Sequence, residues 1–288
     1  MVRPLIELER VAHRYPGGHE ALRDCSLAIR PGQRHALLGT NGAGKTTLLQ
    51  HLNGLLRPTQ GRLLWHGQAV DYRRAGLLEL RQRVGLVFQN PERQLFCAQV
   101  DEDVSFGPLN LGLDEATVRV RVAQALAAVG LQAHARSAVH HLSFGQKKRV
   151  CIAGVLAMAP ELLVLDEPMA GLDPEAQASL SALLDGLAEQ GVTVLLSTHD
   201  VDFAYRWADE LHLMAAGRCI ASGPAPWLAQ QAQTWREAGL PVPSVLALHQ
   251  ILVARGVLPL QPAPRGLDAL LEGLRGDLAF SPTKGLHT

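Results

Sequence analysis

The sequence predicts an α/β fold, a parallel sheet flanked by helices, and three observations carry that reading. Short apolar runs alternate with stretches of helical periodicity along most of the chain, the pattern that strand–helix–strand units impose. One such run, Ala36-Leu37-Leu38, passes straight into a glycine-rich turn that opens a helix. Another, Leu162 to Leu165, ends in two adjacent acids, Asp166 and Glu167.

Taken in order, Ala36-Leu37-Leu38 reads as a strand and Lys45 to Leu56 as the helix behind its turn. Val84 to Phe88 is expected to be a buried strand. Ala116 to Val129 carries apolar positions at helical spacing, and a helix-rich middle is expected between about residues 90 and 160. Leu162 to Leu165 forms the next strand. Pro174 to Gln190 is a helix opened by proline, whose missing N–H is not needed at the first helical position, and Val192 to Ser197 is a β-branched strand. Near Gly223-Pro224-Ala225-Pro226 the pattern changes. Residues 226–288 offer only short helical candidates such as Val245 to Ala254, separated by prolines, so a boundary between 1–225 and 226–288 is expected there. The polar end, Ser281 to Thr288, is expected to fray.

Composition excludes several classes of function. Lys plus Arg and Asp plus Glu are 27 each, so no net charge draws the chain to nucleic acid or an anionic membrane. Hydrophobic residues at 47% and charged ones at 19% exclude long-range disorder. The longest uncharged runs, Cys219 to Trp235 and Ala238 to Ala254, are broken by prolines and polar groups and fall short of the roughly twenty apolar residues of a membrane span. Glu7 and Glu9 stand where an export signal needs an apolar stretch, so a cytoplasmic location is expected. Cys25, Cys97, Cys151 and Cys219 are widely spaced and read as reduced thiols, not a disulfide framework or zinc site.

Chemistry enters with Gly39-Thr40-Asn41-Gly42-Ala43-Gly44-Lys45-Thr46, which matches G-x-x-x-x-G-K-[ST] between a strand and a helix. Such a loop wraps backbone N–H groups around phosphate oxygens at a helix N-terminus. Lys45 is then expected on the β- and γ-phosphates and Thr46 on Mg²⁺. Adjacent acids repel, and a metal gives Asp166 and Glu167 a reason: Asp166 holds hydrated Mg²⁺ while Glu167, pointing elsewhere, polarises the attacking water. The plain alternative is a solvated acidic turn. No Asn-Lys-x-Asp follows, so guanine specificity is not expected.

Between these motifs lies Leu142-Ser143-Phe144-Gly145-Gln146-Lys147-Lys148-Arg149, and here the chain resembles the ATP-binding cassette family, whose signature reads Leu-Ser-Gly-Gly-Gln. Only Phe144 departs from it; by itself the stretch would be a helix N-cap with a basic first turn. The resemblance covers about residues 5 to 225. It implies a P-loop NTPase, ABC-type nucleotide-binding domain with a mixed sheet core, a helical subdomain at about 90–160 and a small C-terminal helical extension. It assigns Gln89 to a loop that contacts Mg²⁺ and reports nucleotide state, and His199, 33 residues beyond Asp166, to the switch histidine on the γ-phosphate. Ala170-Gly171-Leu172-Asp173 resembles the D-loop, with Asp173 facing an opposite subunit. Tyr15, before Pro16-Gly17-Gly18, fits the aromatic that stacks on adenine, although an ordinary strand-end tyrosine looks the same. The implied ATP site comprises Tyr15, Gly39, Asn41, Gly42, Gly44, Lys45, Thr46 and Thr47, joined by Ser143, Gly145, Gln146 and Asp173 across a dimer. Thr46, Gln89 and Asp166 are the implied Mg²⁺ ligands, and Glu167, His199 and Gln89 the catalytic set.

The stretch after Gln89, Asn90-Pro91-Glu92-Arg93-Gln94-Leu95-Phe96 and on to Gly107-Pro108-Leu109-Asn110-Leu111-Gly112, looks like the ATPases of energy-coupling factor importers. Those carry a short extra helix here that forms part of a docking groove for a transmembrane subunit. Leu95, Phe96 and Phe106 fit either a core or a partner-binding patch, and the resemblance favours the patch. The implied partners are a second copy of the chain, a transmembrane coupling subunit and a substrate-capture membrane subunit, with no nucleic acid. The alternative, a soluble cassette clamping nucleic acid, lacks the second cassette, coiled-coil insertion or basic stripe it needs. Residues 226–288 are expected to support the dimer. Cargo rests on resemblance alone: cobalt before nickel, then a vitamin such as biotin; the histidines are scattered and even His140-His141 lacks a plausible third ligand, so they point to no metal site.

Overall fold

The computed structural model describes residues 3–228 and 230–278, with side chains described to residue 275. Two antiparallel strands open the chain. β1 (Ile6–Arg14) and β2 (Glu20–Ile29) alternate buried and exposed positions, as strands with one face on the core do. β3 (Arg34–Gly39) is buried past its first residue and leads through the glycine loop into α1 (Lys45–Leu52). This helix stops short of the expected Leu56. Asn53 caps it and gives its amide to the Val84 carbonyl, and Gly54 at φ +68° makes the left-handed step with which helices commonly end. β4 (Gln60–Trp65) and β5 (Gln68–Ala69) then return beside β1, completing a four-stranded antiparallel sheet ordered β2-β1-β4-β5.

α2 (Arg74–Arg83) delivers the chain to β6 (Val84–Val87), buried at every position. A helical block follows, α3 (Val100–Asn110), α4 (Glu115–Ala128) and α5 (Phe144–Leu156). Asp114 starts α4 by accepting the Thr117 N–H at 3.0 Å, and Val118, Val122, Ala125 and Leu126 make its buried stripe. Ser143 starts α5 through a reciprocal pair: its Oγ accepts from the Gln146 N–H at 3.2 Å while Gln146 Oε1 accepts from the Ser143 N–H at 2.9 Å.

The remaining elements of the body are β7 (Leu162–Leu165), α6 (Pro174–Glu189), β8 (Thr193–Thr198), α7 (Val201–Trp207), β9 (Glu210–Ala215) and β10 (Arg218–Pro224). The second sheet runs β10-β9-β3-β8-β7-β6, parallel except for β10 at its edge. Successive residues of its strands serve two cores. Leu37, Val164 and Leu195 face α1 and the antiparallel sheet, whereas Leu38, Leu165 and Leu196 face the helices. With both faces buried, a one-residue slip would exchange the two sets, so register is strongly fixed.

Four helices close the described chain, α8 (Ala225–Leu228), α9 (Ala232–Glu237), α10 (Ser244–Ala254) and α11 (Leu267–Leu278). The expected boundary near Gly223 to Pro226 is no gap in packing. Leu228, Trp235, Leu240 and Leu246 share the buried cluster of the helical face, and the Trp235 indole donates to the Leu228 carbonyl at 2.9 Å. Ser281 to Thr288, where fraying is expected, lie outside the described residues. Among the described residues no helix is long and apolar enough to cross a membrane.

Candidate nucleotide site

Strand register gathers three loops at one edge. β3 pairs with β8 as far as Leu38↔Thr198, and β8 with β7 as far as Leu165↔Leu196. The segments that follow those strands therefore emerge side by side at the carboxyl ends of a parallel sheet, where such folds bind ligands. Residues 40–47, Asp166, Glu167 and His199 line one cavity of about 320 Å³ together with Tyr15, His19, Ala21 and Gln89.

The loop tolerates no side chain at its close approaches. A Cβ on Gly39 would sit 2.8 Å from the Met214 carbonyl oxygen and one on Gly44 2.6 Å from that of Ala21; Gly44 also has φ +101°. Lys45 is 7% exposed. Its Nζ donates to the Gly39 carbonyl at 2.7 Å and lies 3.4 Å from Glu167 Oε1, so the buried ammonium is paired, as burial demands. Thr46 Oγ1 donates to Asp166 Oδ2 at 2.7 Å. Ser197 Oγ donates to Asp166 Oδ1 at 2.6 Å and accepts from the Glu167 N–H at 2.9 Å.

Glu167 holds φ +46°, the left-handed region that a residue with a Cβ adopts only under constraint. This turn separates the two acids. Asp166 faces Thr46 and Ser197, while Glu167 reaches Lys45 with one oxygen and His199 Nδ1, 3.1 Å away, with the other. Thr46, Asp166 and Gln89 offer hydroxyl, carboxylate and amide oxygens at the same cavity, a hard-donor set that fits Mg²⁺. Tyr15 forms the rim, its hydroxyl 3.2 Å from Thr47 Oγ1 and its ring edge-on to His13.

Ser143, Gly145, Gln146 and Asp173 are not among the residues lining this cavity. Ser143 caps α5, and Asp173 caps α6 by accepting from the Ala176 N–H at 2.8 Å. Phe144, the departure from the signature, lies against Gly171 and over Lys148, 5.2 Å from its ring centroid. Lys148 donates to the carbonyls of Pro168 at 2.6 Å and Ala170 at 2.7 Å; burial pulls its ammonium down to about 8 against the opposing pull of Glu167. The sequence presents Lys148 only as one of the basic residues after the signature, with no separate role, and does not single out Ser197. Lys148 carried one signal, a cation in the second turn of a helix that otherwise reads as apolar on that side. Ser197 carried only its place two residues before His199.

A second cavity, of about 450 Å³, is lined by Leu78, Phe88, Phe96, Phe106 and Met158 among others. Phe96 and Phe106 meet edge to face at 4.6 Å and are 63% and 48% exposed. Leu95 turns inward against the core. Gln94 lines the groove, yet its amide is used internally, accepting from the Phe88 N–H at 3.1 Å and donating to the Cys151 carbonyl at 3.4 Å.

Comparison with known proteins gives a consistent set of relatives. A family model described as ABC transporter matches residues 22–170. The cobalt import ATP-binding protein CbiO of Rhodobacter capsulatus is 48% identical over 275 residues, 95% of this chain and 98% of that protein. The energy-coupling factor transporter ATP-binding protein EcfA of Methanocaldococcus jannaschii is 45% identical over 257 residues, 89% of this chain and 92% of that one. Among solved structures, cbiO1 from Clostridium perfringens, described as part of the ABC transporter complex cbiONQ, aligns with a TM-score of 0.74 at 40% identity, covering 86% of this chain and 99% of the other.

Proposed function

The chain belongs to the ABC transporter family as an ATP-binding subunit whose ATPase activity is coupled to transport, and from that premise we propose that it is the motor of an energy-coupling factor importer whose first cargo is cobalt. One observation carries the chemistry: the Glu167 carboxylate stands between Lys45 and His199 at the mouth of the phosphate loop.

ATP binds with its phosphates along the loop amides and Lys45, and with adenine against Tyr15. Thr46, Gln89 and Asp166 would hold Mg²⁺, which supplies charge neutralisation to the β- and γ-phosphates. Ser197 fixes Asp166 and the Glu167 backbone together. Glu167 orients the attacking water and takes up its proton, and His199 steadies both the carboxylate and the γ-phosphate. Ser143, Gly145, Gln146 and Asp173 act from a second copy, a reading supported by their exclusion from the cavity of their own chain. Hydrolysis then removes the phosphoryl group bridging the two copies, the halves part, and helices of a transmembrane coupling subunit seated near Phe96 and Phe106 follow. A substrate-capture membrane subunit completes the complex, and the motor sits peripherally on the cytoplasmic face of the membrane.

Residues 226–288 support the pairing of copies; Ile251 on α10 and Leu267 on α11 are 53% and 58% exposed, apolar groups suited to a contact. The likeness to a cobalt import ATP-binding protein over 95% of the chain supports cobalt. Nickel and a vitamin such as biotin rank behind it, and balanced charge disfavours a nucleic-acid clamp. The test is uptake of labelled Co²⁺, Ni²⁺ and biotin by cells expressing the whole complex with Lys45 intact or as Lys45→Ala. Lys45-dependent Co²⁺ uptake is expected; Lys45-dependent biotin uptake alone would overturn the cargo and leave the motor standing.

A further inference from the structure

We infer that the C-terminal extension is a positioning device for hydrolysis: Asp202, Ser244 and Arg265 fix α7 and, through it, His199 against Glu167. The inference rests on the proposed role of His199 and extends it to residues far away in sequence.

The link between His199 and α7 is short and stiff. Asp200 follows directly, its N–H donating to Thr198 Oγ1 at 3.1 Å while its Oδ1 accepts from the Phe203 N–H at 2.9 Å. His199 is thus strung between the end of β8 and the first turn of α7 with no slack residue. Its side chain is 66% exposed and meets Glu167 through a single 3.1 Å contact. A displacement of α7 therefore carries the imidazole with it, and a catalytic contact loses effect over less than an ångström.

A seven-residue helix has little stability of its own, so its position is set by what grips it. Ala204, Tyr205 and Trp207 hold one side in the core. The other side is held by the extension. Near the start of α7, Asp202 accepts two hydrogen bonds from Ser244, from the N–H at 2.6 Å and from Oγ at 2.9 Å. At its end, Arg265 donates to the carbonyls of Arg206, at 3.5 Å, and Ala208, groups that a helix C-terminus otherwise leaves unpartnered. The same guanidinium lies 5.0 Å above the Tyr205 ring. Both ends of α7 are thus clasped from the outside by one segment. Asp202 is exposed and contributes nothing to the core, so its bonds to Ser244 constrain placement without supplying burial.

The experiment measures ATP turnover of the complete transporter complex for Asp202→Ala, Arg265→Met, the conservative Asp202→Asn, and His199→Ala. Freeing either end of α7 is expected to lower kcat by about three- to tenfold while the KM for ATP stays within about twofold, since the phosphate loop is untouched. Asp202→Asn, which keeps an acceptor for Ser244, is expected to recover most of the loss. If His199→Ala is impaired but Asp202→Ala and Arg265→Met turn over like wild type, the inference is overturned and the role of His199 stands. Wild-type turnover by His199→Ala sinks that role and the inference with it. A kcat loss that vanishes once rates are scaled to the folded fraction by circular dichroism also overturns it.

Discussion

Glu167 concentrates the chemistry into one carboxylate, and its substitution separates binding from turnover. Glu167→Gln keeps the shape and the loop but cannot take up a proton. Turnover is expected to fall by about two to three orders of magnitude, with ATP affinity by calorimetry within about twofold of wild type; turnover near wild type would remove Glu167 from its role. Lys45→Ala is expected to act on the other quantity, weakening ATP binding itself. A second residue-scale effect lies away from the site. His35 and His212 stack in the core with Nδ1 and Nε2 3.0 Å apart, His35 Nε2 reaching the Arg30 carbonyl and His212 Nδ1 the Ser222 hydroxyl. Burial pulls His35 and His51 down to about 4 and His212 well below its ordinary value. Neutral imidazole is therefore the folded form, while the unfolded chain takes up protons from about pH 6.5 downward. Their contribution to stability is complete above that pH and is lost as the pH falls below it, because the unfolded chain binds protons that the buried rings refuse. The midpoint of urea unfolding should accordingly drop between pH 7 and pH 5; a flat profile contradicts this account.

Among the elements, the segment from the short turn at Pro91–Arg93 to α3 presents the exposed aromatic pair. Phe96→Asp places a charge in the apolar groove without touching the nucleotide cavity. It is expected to leave ATP binding intact and to block co-purification with the transmembrane subunit, or to let ATPase run without transport. If assembly and transport both persist, the groove docks nothing. The elements were unequally legible. Strands buried on both faces, β3, β6, β7 and β8, announce themselves as apolar runs, and the loops that line the cavity begin where those runs stop. The antiparallel sheet escaped notice because β1 and β2 spend alternate positions on polar residues, and β5 is two residues long. α1 was read a turn too long because Asn53 and Gly54, which end it, stand inside an otherwise apolar stretch. Nothing local could reveal the clasp on α7, because Asp202 and Ser244 are polar groups that meet only in the fold.

Taken whole, the molecule leaves apolar side chains exposed on the last two helices of the described residues, Leu248 and Ile251 on α10 and Leu267 and Leu271 on α11. Deleting everything after Gly223 would also strip Trp235 and Leu228 from the main core, so a surface substitution is the cleaner probe of pairing. Ile251→Asp is expected to lower the dimer mass seen in sedimentation while ATP affinity of the single chain is unchanged; an unaltered mass would place the contact elsewhere. The incomplete lining of the nucleotide cavity has a kinetic counterpart. Tyr15, the phosphate loop and both acids line the cavity of one chain, and Ser143 and Asp173 do not; on the proposed reading that these act from a second copy, turnover per subunit depends on how many subunits share the volume. Specific activity of the isolated protein should climb with its concentration and then level off. Equal mixing with Lys45→Ala chains leaves about a quarter of random pairs wild type and about half with one intact phosphate loop; closure that needs ATP on both loops predicts activity near a quarter of the wild-type value, and independent sites predict about half.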